Sequence, residues 1–267
     1  MGKRRILVAT GPRDGVRTTR MVVPRELQVS RQRIVYFEAG MGAPVILLHG
    51  LGASSRWWFP IIPELSSANC RVIALDLPGF GRTPGPMLSI KKTARTVIEL
   101  VDRAGLAEFF LVGHSMGGAI AAQIAADFGR RVRRLALVDS AGIPGAGPGR
   151  ILGRLVQPWS WCPAWFYTTM LSDMLRAGPS NIREGMRQLR IYDVRPVLGD
   201  IRAPTLLIWG EKDGMTPLKN DEQMAERLKN GRVETVAGAR HLPMVSHPEI
   251  VSALLVRFFK EDLKARS

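Results

Sequence analysis

The chain has 267 residues, 46% of them hydrophobic and 23% charged, with 27 Gly and 18 Pro scattered along it. That length suits one hydrophobic core carrying an insertion better than two independent domains, and the composition excludes a collagen-like or largely disordered chain. A net charge of +15 would by itself suit nucleic acid or an anionic membrane surface. The arginines are dispersed, however, and their one dense run, Arg130, Arg131, Arg133 and Arg134, reads as a helix end where cations complement the dipole. No nucleic-acid motif accompanies them. The expectation is a solvated basic face and no nucleic-acid partner, with peripheral contact to an anionic surface left open.

Residues 1–25 read as a basic leader. Its apolar patch is only five residues long, too short for a cleaved signal, and Ile6 stands where N-myristoylation wants Ser or Thr. No run approaches the roughly 18 to 20 apolar residues of a membrane span. Cys70 and Cys162 read as lone buried thiols, so a cytoplasmic protein without stable membrane insertion is expected.

Residues 26–29 and 33–37 alternate like an antiparallel pair. Buried-strand runs follow at 45–48, 71–75, 109–112, 135–138, 205–209 and 233–236, separated by helical patterns at 90–104, 116–128, 218–228 and 248–263. Alternation of this kind marks an α/β fold, a mostly parallel central sheet flanked by helices. One connection is far too long for a crossover. After the sixth strand, residues 142–201 read as a small helical cap, dividing the core into 26–141 and 202–267. The cap opens on a Gly/Pro stretch and then carries Trp159, Trp161, Trp165, Phe166 and Tyr167. These aromatics serve either as the cap's own core or as the lining of an apolar substrate pocket at the C-terminal strand ends, where ligands bind in open α/β sheets.

The segment Phe109-Phe-Leu-Val-Gly-His-Ser-Met-Gly-Gly118 joins a strand to a helix through G-x-S-x-G. A sharp turn of this kind puts the serine in a strained conformation with Oγ above the sheet, and the glycines leave room for neighbouring chain. Ser115 is the candidate nucleophile. The helix beginning at Met116 aims its free N–H groups at the same spot, where they would stabilise a developing oxyanion.

With His49-Gly-Leu-Gly52, Asp76-Leu-Pro-Gly-Phe-Gly81, Gly113-His-Ser-Met-Gly117, Trp209-Gly-Glu-Lys-Asp213 and His241-Leu-Pro243 in this order, the sequence resembles the α/β-hydrolase fold superfamily. Within it the likeness is to the capped group that holds carboxylesterases, carbon–carbon bond hydrolases and cofactor-free haloperoxidases, and it runs from about Gln28 to Phe259. The resemblance implies a Ser-acid-His order with His241 as general base and Asp213 as acid, Pro217 following as in the family pattern. Asp139 competes as the acid, and His247 as the base. The resemblance also implies an oxyanion pair in the backbone N–H groups of Leu51 and Met116, and structural roles for His49 and Asp76. His114 is expected to point away from the nucleophile, and Glu211 to sit too close to its strand to serve as acid. Arg240 stands where relatives commonly have Gly, and Ser246 where Glu is common, which leaves the local loop geometry open. Arg240 itself faces either solvent or an acidic substrate group.

The reading that follows is a serine hydrolase of carboxylic esters with apolar groups, acting through an acyl-enzyme on a small-molecule substrate. Trp57, Trp58, Trp161 and Trp165 are the candidate substrate-binding residues. Neither metal nor organic cofactor is expected, since the chain lacks His-x-x-x-His and Cys-x-x-Cys clusters and a G-x-G-x-x-G turn. Two alternatives stay open. One is carbon–carbon bond hydrolysis of a ring-cleavage diketone, although Leu51-Gly-Ala-Ser54 differs from the Gly-Pro-Gly loop usual there. The other is a non-catalytic ligand-binding member of the fold.

Overall fold

A computed structural model describes residues 6–7, 21–30, 32–144, 162–216 and 219–265. Trp159, Trp161, Pro217 and the Gly/Pro stretch beyond residue 144 lie outside the described residues.

Nine strands among the described residues form one sheet: β1 (Ile6–Leu7), β2 (Met21–Val29), β3 (Gln32–Ala39), β4 (Ala43–Leu48), β5 (Cys70–Leu75), β6 (Phe109–His114), β7 (Val132–Val138), β8 (Thr205–Gly210) and β9 (Gly231–Val236). Their order is β1-β2-β3-β5-β4-β6-β7-β8-β9. The first three strands run antiparallel to their neighbours and the rest pair in parallel. β2 starts earlier than its alternation suggests and takes in residues 21–25 of the expected leader, because Val22 is buried.

Side chains on the central strands sort by parity between two apolar layers, as the two-residue period of a strand requires. Ile46 and Leu48 of β4 belong to one layer, with α2 (Ile90–Arg103) and α3 (Met116–Asp127). Val45 and Leu47 belong to the other, with α1 (Ile62–Ser67) and the last helix. Helix α2 begins where the Ser89 hydroxyl accepts the N–H of Lys92, and it buries Ile90, Ala94, Val97, Ile98 and Val101 along one stripe. Helix α3 is buried almost all round, which its Gly and Ala residues permit by keeping it slim.

The insertion follows β7, the sixth strand when counted from β2. It contains α4 (Ala164–Ile191) and the short α5 (Arg195–Leu198), and α4 is kinked at Gly178, φ 71° and ψ 163°, before Pro179. The chain returns through β8, α6 (Lys219–Ala225), β9, α7 (Pro243–Ser246) and α8 (Pro248–Ala265).

Two of the clustered arginines, Arg133 and Arg134, lie within β7 and not at a helix end. Arg133 pairs with Asp262 and lies over the Phe110 ring, while Arg134 pairs with Glu261 and lies over Phe258. Arg131 pairs with Asp102. Much of that run therefore fastens α8 and α2 to the sheet, because the acidic end of α8 passes directly beneath β7. Cys70 and Cys162 are both free and buried, and burial pushes their thiols up to about 11 and about 12. Among the described residues no helix is long and apolar enough to cross a membrane.

Candidate active site

Ser115 sits between β6 and α3 at φ 51° and ψ −118°, a backbone region that costs a non-glycine residue about 1–3 kcal/mol. The turn is tight enough that side chains are excluded around it. A Cβ at Gly113 would lie 2.2 Å from the Gly117 carbonyl oxygen, and one at Gly117 would lie 2.3 Å from the Leu48 carbonyl oxygen. The Ser115 N–H is held by Val138 O of β7, so the neighbouring strand helps hold the turn in place.

From the far edge of the sheet, the loop after β9 brings His241 over the serine. Its Nε2 is 3.1 Å from Ser115 Oγ and its Nδ1 is 2.9 Å from Asp213 Oδ2. A carboxylate only accepts, so Nδ1 carries the proton and Nε2 is free to accept the hydroxyl proton of the serine. All three residues are buried yet keep a sliver of exposure, 8% each.

Asp213 is held by more than the histidine. The N–H groups of Met215 and Thr216 donate to its Oδ1 at 2.7 and 3.2 Å, and the Thr216 hydroxyl donates to its Oδ2. Burial alone would push the carboxyl up, but His241 and these donors outweigh it and hold it down at about 2.

Asp139, the competing acid, is fully buried, and its Oδ1 accepts the N–H of Gly210 at 2.8 Å. It therefore bridges the C-terminal ends of β7 and β8 while Asp213 holds the His241 ring. His114, Asp139 and His241 bring ligand-type atoms within 4.8 Å of one another. His241 has both ring nitrogens engaged by Asp213 and Ser115, and His114 Nε2 donates to the His241 carbonyl at 2.8 Å. His241 is thereby committed to Asp213 and Ser115, and one nitrogen of His114 to the backbone of the loop that carries His241.

His114 does not point away from the site. Its ring lies 4.9 Å from that of His241, centroid to centroid, and burial together with the neighbouring His241 lowers its pKa to about 3, leaving it neutral. The reason is topological: residues of β6 alternate faces, so the side chain before Ser115 packs under the loop that carries His241. Glu211 also has an unforeseen part, accepting the Gly238 N–H at 2.8 Å, while Lys212 N–H donates to Ala239 O. The loop before His241 is thereby fastened to the turn that carries Asp213. His247, the competing base, bonds Ser246 Oγ at 2.8 Å, whereas the contact with Ser115 Oγ is made by His241.

The loop Gly50-Leu51-Gly52 passes close to the elbow. A Cβ at Gly50 would lie 3.1 Å from Ser115 Cβ, which brings the Leu51 amide to the same side as the first turn of α3. The amides of Leu51 and Met116 enter none of the hydrogen bonds of the described turns, loops and caps, as oxyanion donors must. His49 ties this loop down: its Nε2 accepts the Leu77 N–H at 3.0 Å and its Nδ1 donates to Gly50 O at 2.8 Å. Asp76 accepts the N–H groups of Ser55 and Arg82, both at 2.8 Å, and is a loop-fixing residue.

The four tryptophans expected to line a pocket part company. Trp58 is fully buried and Trp57 nearly so, both in the apolar layer that contains α8. Trp57 is bonded through Nε1 to Asp173 and packed edge-on against Phe166. They are core residues, since the 3-10 turn Ser55–Trp58 directs them inward. Trp165 is turned to solvent, 51% exposed, and Trp161 lies outside the described residues. What covers the Leu51 loop instead is α4: Ile182 and Met174 lie against Gly52, and Gly185 packs on the Leu51 side chain.

A sequence model of the alpha/beta hydrolase family matches residues 45–254. The chain is similar to the dihydrolipoyllysine-residue acetyltransferase component of an acetoin cleaving system from Pseudomonas putida, 31% identical across 89% of this chain and 70% of the relative. It is also similar to a pimeloyl-[acyl-carrier protein] methyl ester esterase from Legionella pneumophila (strain Corby), 29% identical across 83% of this chain and 97% of the relative. Among solved structures, a membrane phospholipase A superposes with a TM-score of 0.78 at 29% identity, covering 90% of this chain and 86% of that one.

Proposed function

This chain belongs to the alpha/beta hydrolase family, and from that premise we propose that it is a carboxylesterase, a serine hydrolase that cleaves carboxylic esters with apolar acyl or alcohol groups. The observation that carries the reading is the relay Asp213–His241–Ser115, with spacings of 2.9 and 3.1 Å. In this mechanism Ser115 Oγ attacks the ester carbonyl as His241 Nε2 takes its proton. The tetrahedral oxyanion rests on the amides of Leu51 and Met116, each such donor lowering the barrier by about 2.7–4 kcal/mol. His241 then protonates the departing alcohol, and water repeats the cycle to release the acid from the acyl-enzyme. Similarity to an esterase and to a phospholipase A supports an ester carbonyl as the target. Met174 and Ile182 beside Gly52 support apolar substituents around it. A cytoplasmic setting belongs to the same reading and is supported by the two free, buried thiols.

The test pairs fluorophosphonate labelling with a hydrolysis screen over aryl esters from acetyl to palmitoyl, a lactone and a ring-cleavage diketone. Expected are labelling at Ser115 and turnover of short to medium aryl esters. Labelling with turnover of the diketone alone overturns the ester reading, and absence of labelling overturns the serine hydrolase.

A further inference from the structure

We propose that the outward face of the first half of α4 docks on an anionic lipid surface. Of the eight large hydrophobic side chains exposed among the described residues, four lie on this half-helix: Trp165, Leu171, Met174 and Leu175. Leu171 and Leu175 are one turn apart and are 60% and 73% exposed, while Phe166, Asp173 and Ala177 on the opposite side are buried. An exposed apolar stripe of this kind is unfavourable in water unless something covers it.

Charge identifies the occupant. No acidic residue occurs between Asp139 and Asp173, and Asp173 is turned inward to Arg56, Trp57 and Ser54. Beyond the stripe, Glu184 and Asp193 are matched by Arg187 and Arg195. Arg176, Arg183 and Arg190 enter none of the ion pairs among the described residues. The stripe is therefore apolar, with the exposed Arg176 beside Leu175 and with Arg183 and Arg190 farther along α4, on a chain of net charge +15. Helices that lie in a lipid interface combine large apolar side chains, Trp included, with Arg on the flanks, and anionic headgroups attract such a surface. A second copy of the chain would bring like charges together across the same face. The placement is also apt, because Met174 reaches Gly52 on its inner side. The stripe therefore lies at the end of the molecule that carries Ser115.

The experiment is sedimentation of the full chain with vesicles of phosphatidylcholine alone or mixed with phosphatidylglycerol, at low and high salt. Expected is binding to the anionic vesicles only, weakened by salt, and at least a tenfold weaker partition for the double variant L171E/L175E. That variant should keep its rate on a soluble aryl ester, since both positions are exposed and Glu suits a helix. Met41→Glu, at an exposed turn before β4, should bind as the unaltered chain does. Failure of the unaltered chain to bind anionic vesicles at low salt overturns the proposal, as does equal partition of L171E/L175E. A dimer that L171E/L175E dissolves, with no vesicle binding, assigns the face to self-association instead.

Discussion

Removing one oxygen atom is the sharpest question to put to the site. Ser115→Ala should abolish aryl-ester hydrolysis and fluorophosphonate labelling with little change in melting temperature, and activity above about one per cent of the original would take the serine out of the chemistry. Asp213→Asn should lower kcat by about 10⁴-fold, because the amide no longer fixes the Nδ1–H tautomer of His241. Asp139→Asn keeps an acceptor for the Gly210 N–H and should cost far less, so the opposite ranking would move the acid to Asp139. His114 sets a pH dependence. Its folded value of about 3 lies below the ordinary 6.5, so the unfolded chain binds a proton there that the folded chain refuses. Its effect is absent above pH 6.5, and below that it subtracts stability with a limiting slope of about 1.4 kcal/mol per pH unit until the folded value is reached. His114→Gln should therefore flatten the decline of melting temperature between pH 6.5 and 4, and an unchanged slope would contradict the assignment. Ser115 was legible because its motif is local. The supports of the site were not, since His114, Glu211 and Thr216 act through contacts with His241 O, Gly238 N and Asp213, which depend on how loops from three strands meet.

At the scale of one element, α4 is the part whose packing the sequence left most open. The cap was legible as an interruption of the β/α rhythm, but the parity of its aromatics was not. Phe166 points into the core and Trp165 out of it, a distinction set by a helix phase that Gly178 and Pro179 interrupt. Gly178 has open space around it, so a substitution there tests conformation alone. Gly178→Ala should cost about 1–3 kcal/mol, since φ 71° with ψ 163° suits only glycine. Thermal denaturation checks this, and an unchanged midpoint would mean the kink relaxes. Asp173 anchors the same helix, accepting from Ser54 and Trp57 at 2.7 and 3.0 Å and pairing with Arg56. Those three residues directly follow the Leu51 loop. Asp173→Ala should loosen α4 and raise KM more than it lowers kcat, with faster proteolysis within residues 162–191. A drop in kcat alone, with α4 as resistant as before, would contradict this.

For the molecule as a whole, the parallel sheet and its two apolar layers could be read in advance, because buried strands such as residues 45–48 and 109–112 are nearly continuous apolar runs. The clasp at the other end could not. Phe259 stacks on Phe110 at 4.5 Å and 1° between planes, and Arg133 and Arg134 reach across to Asp262 and Glu261, so charges that looked like a solvated face hold the final helix down. This arrangement also orders events in time. The serine leaves the ribosome ahead of its partner, for His241 is 126 residues behind it, and the helix that stacks on β6 comes later still. A nascent chain can thus complete its elbow long before His241 is there to reach it, and the two meet only once the sheet has been extended through β8 and β9.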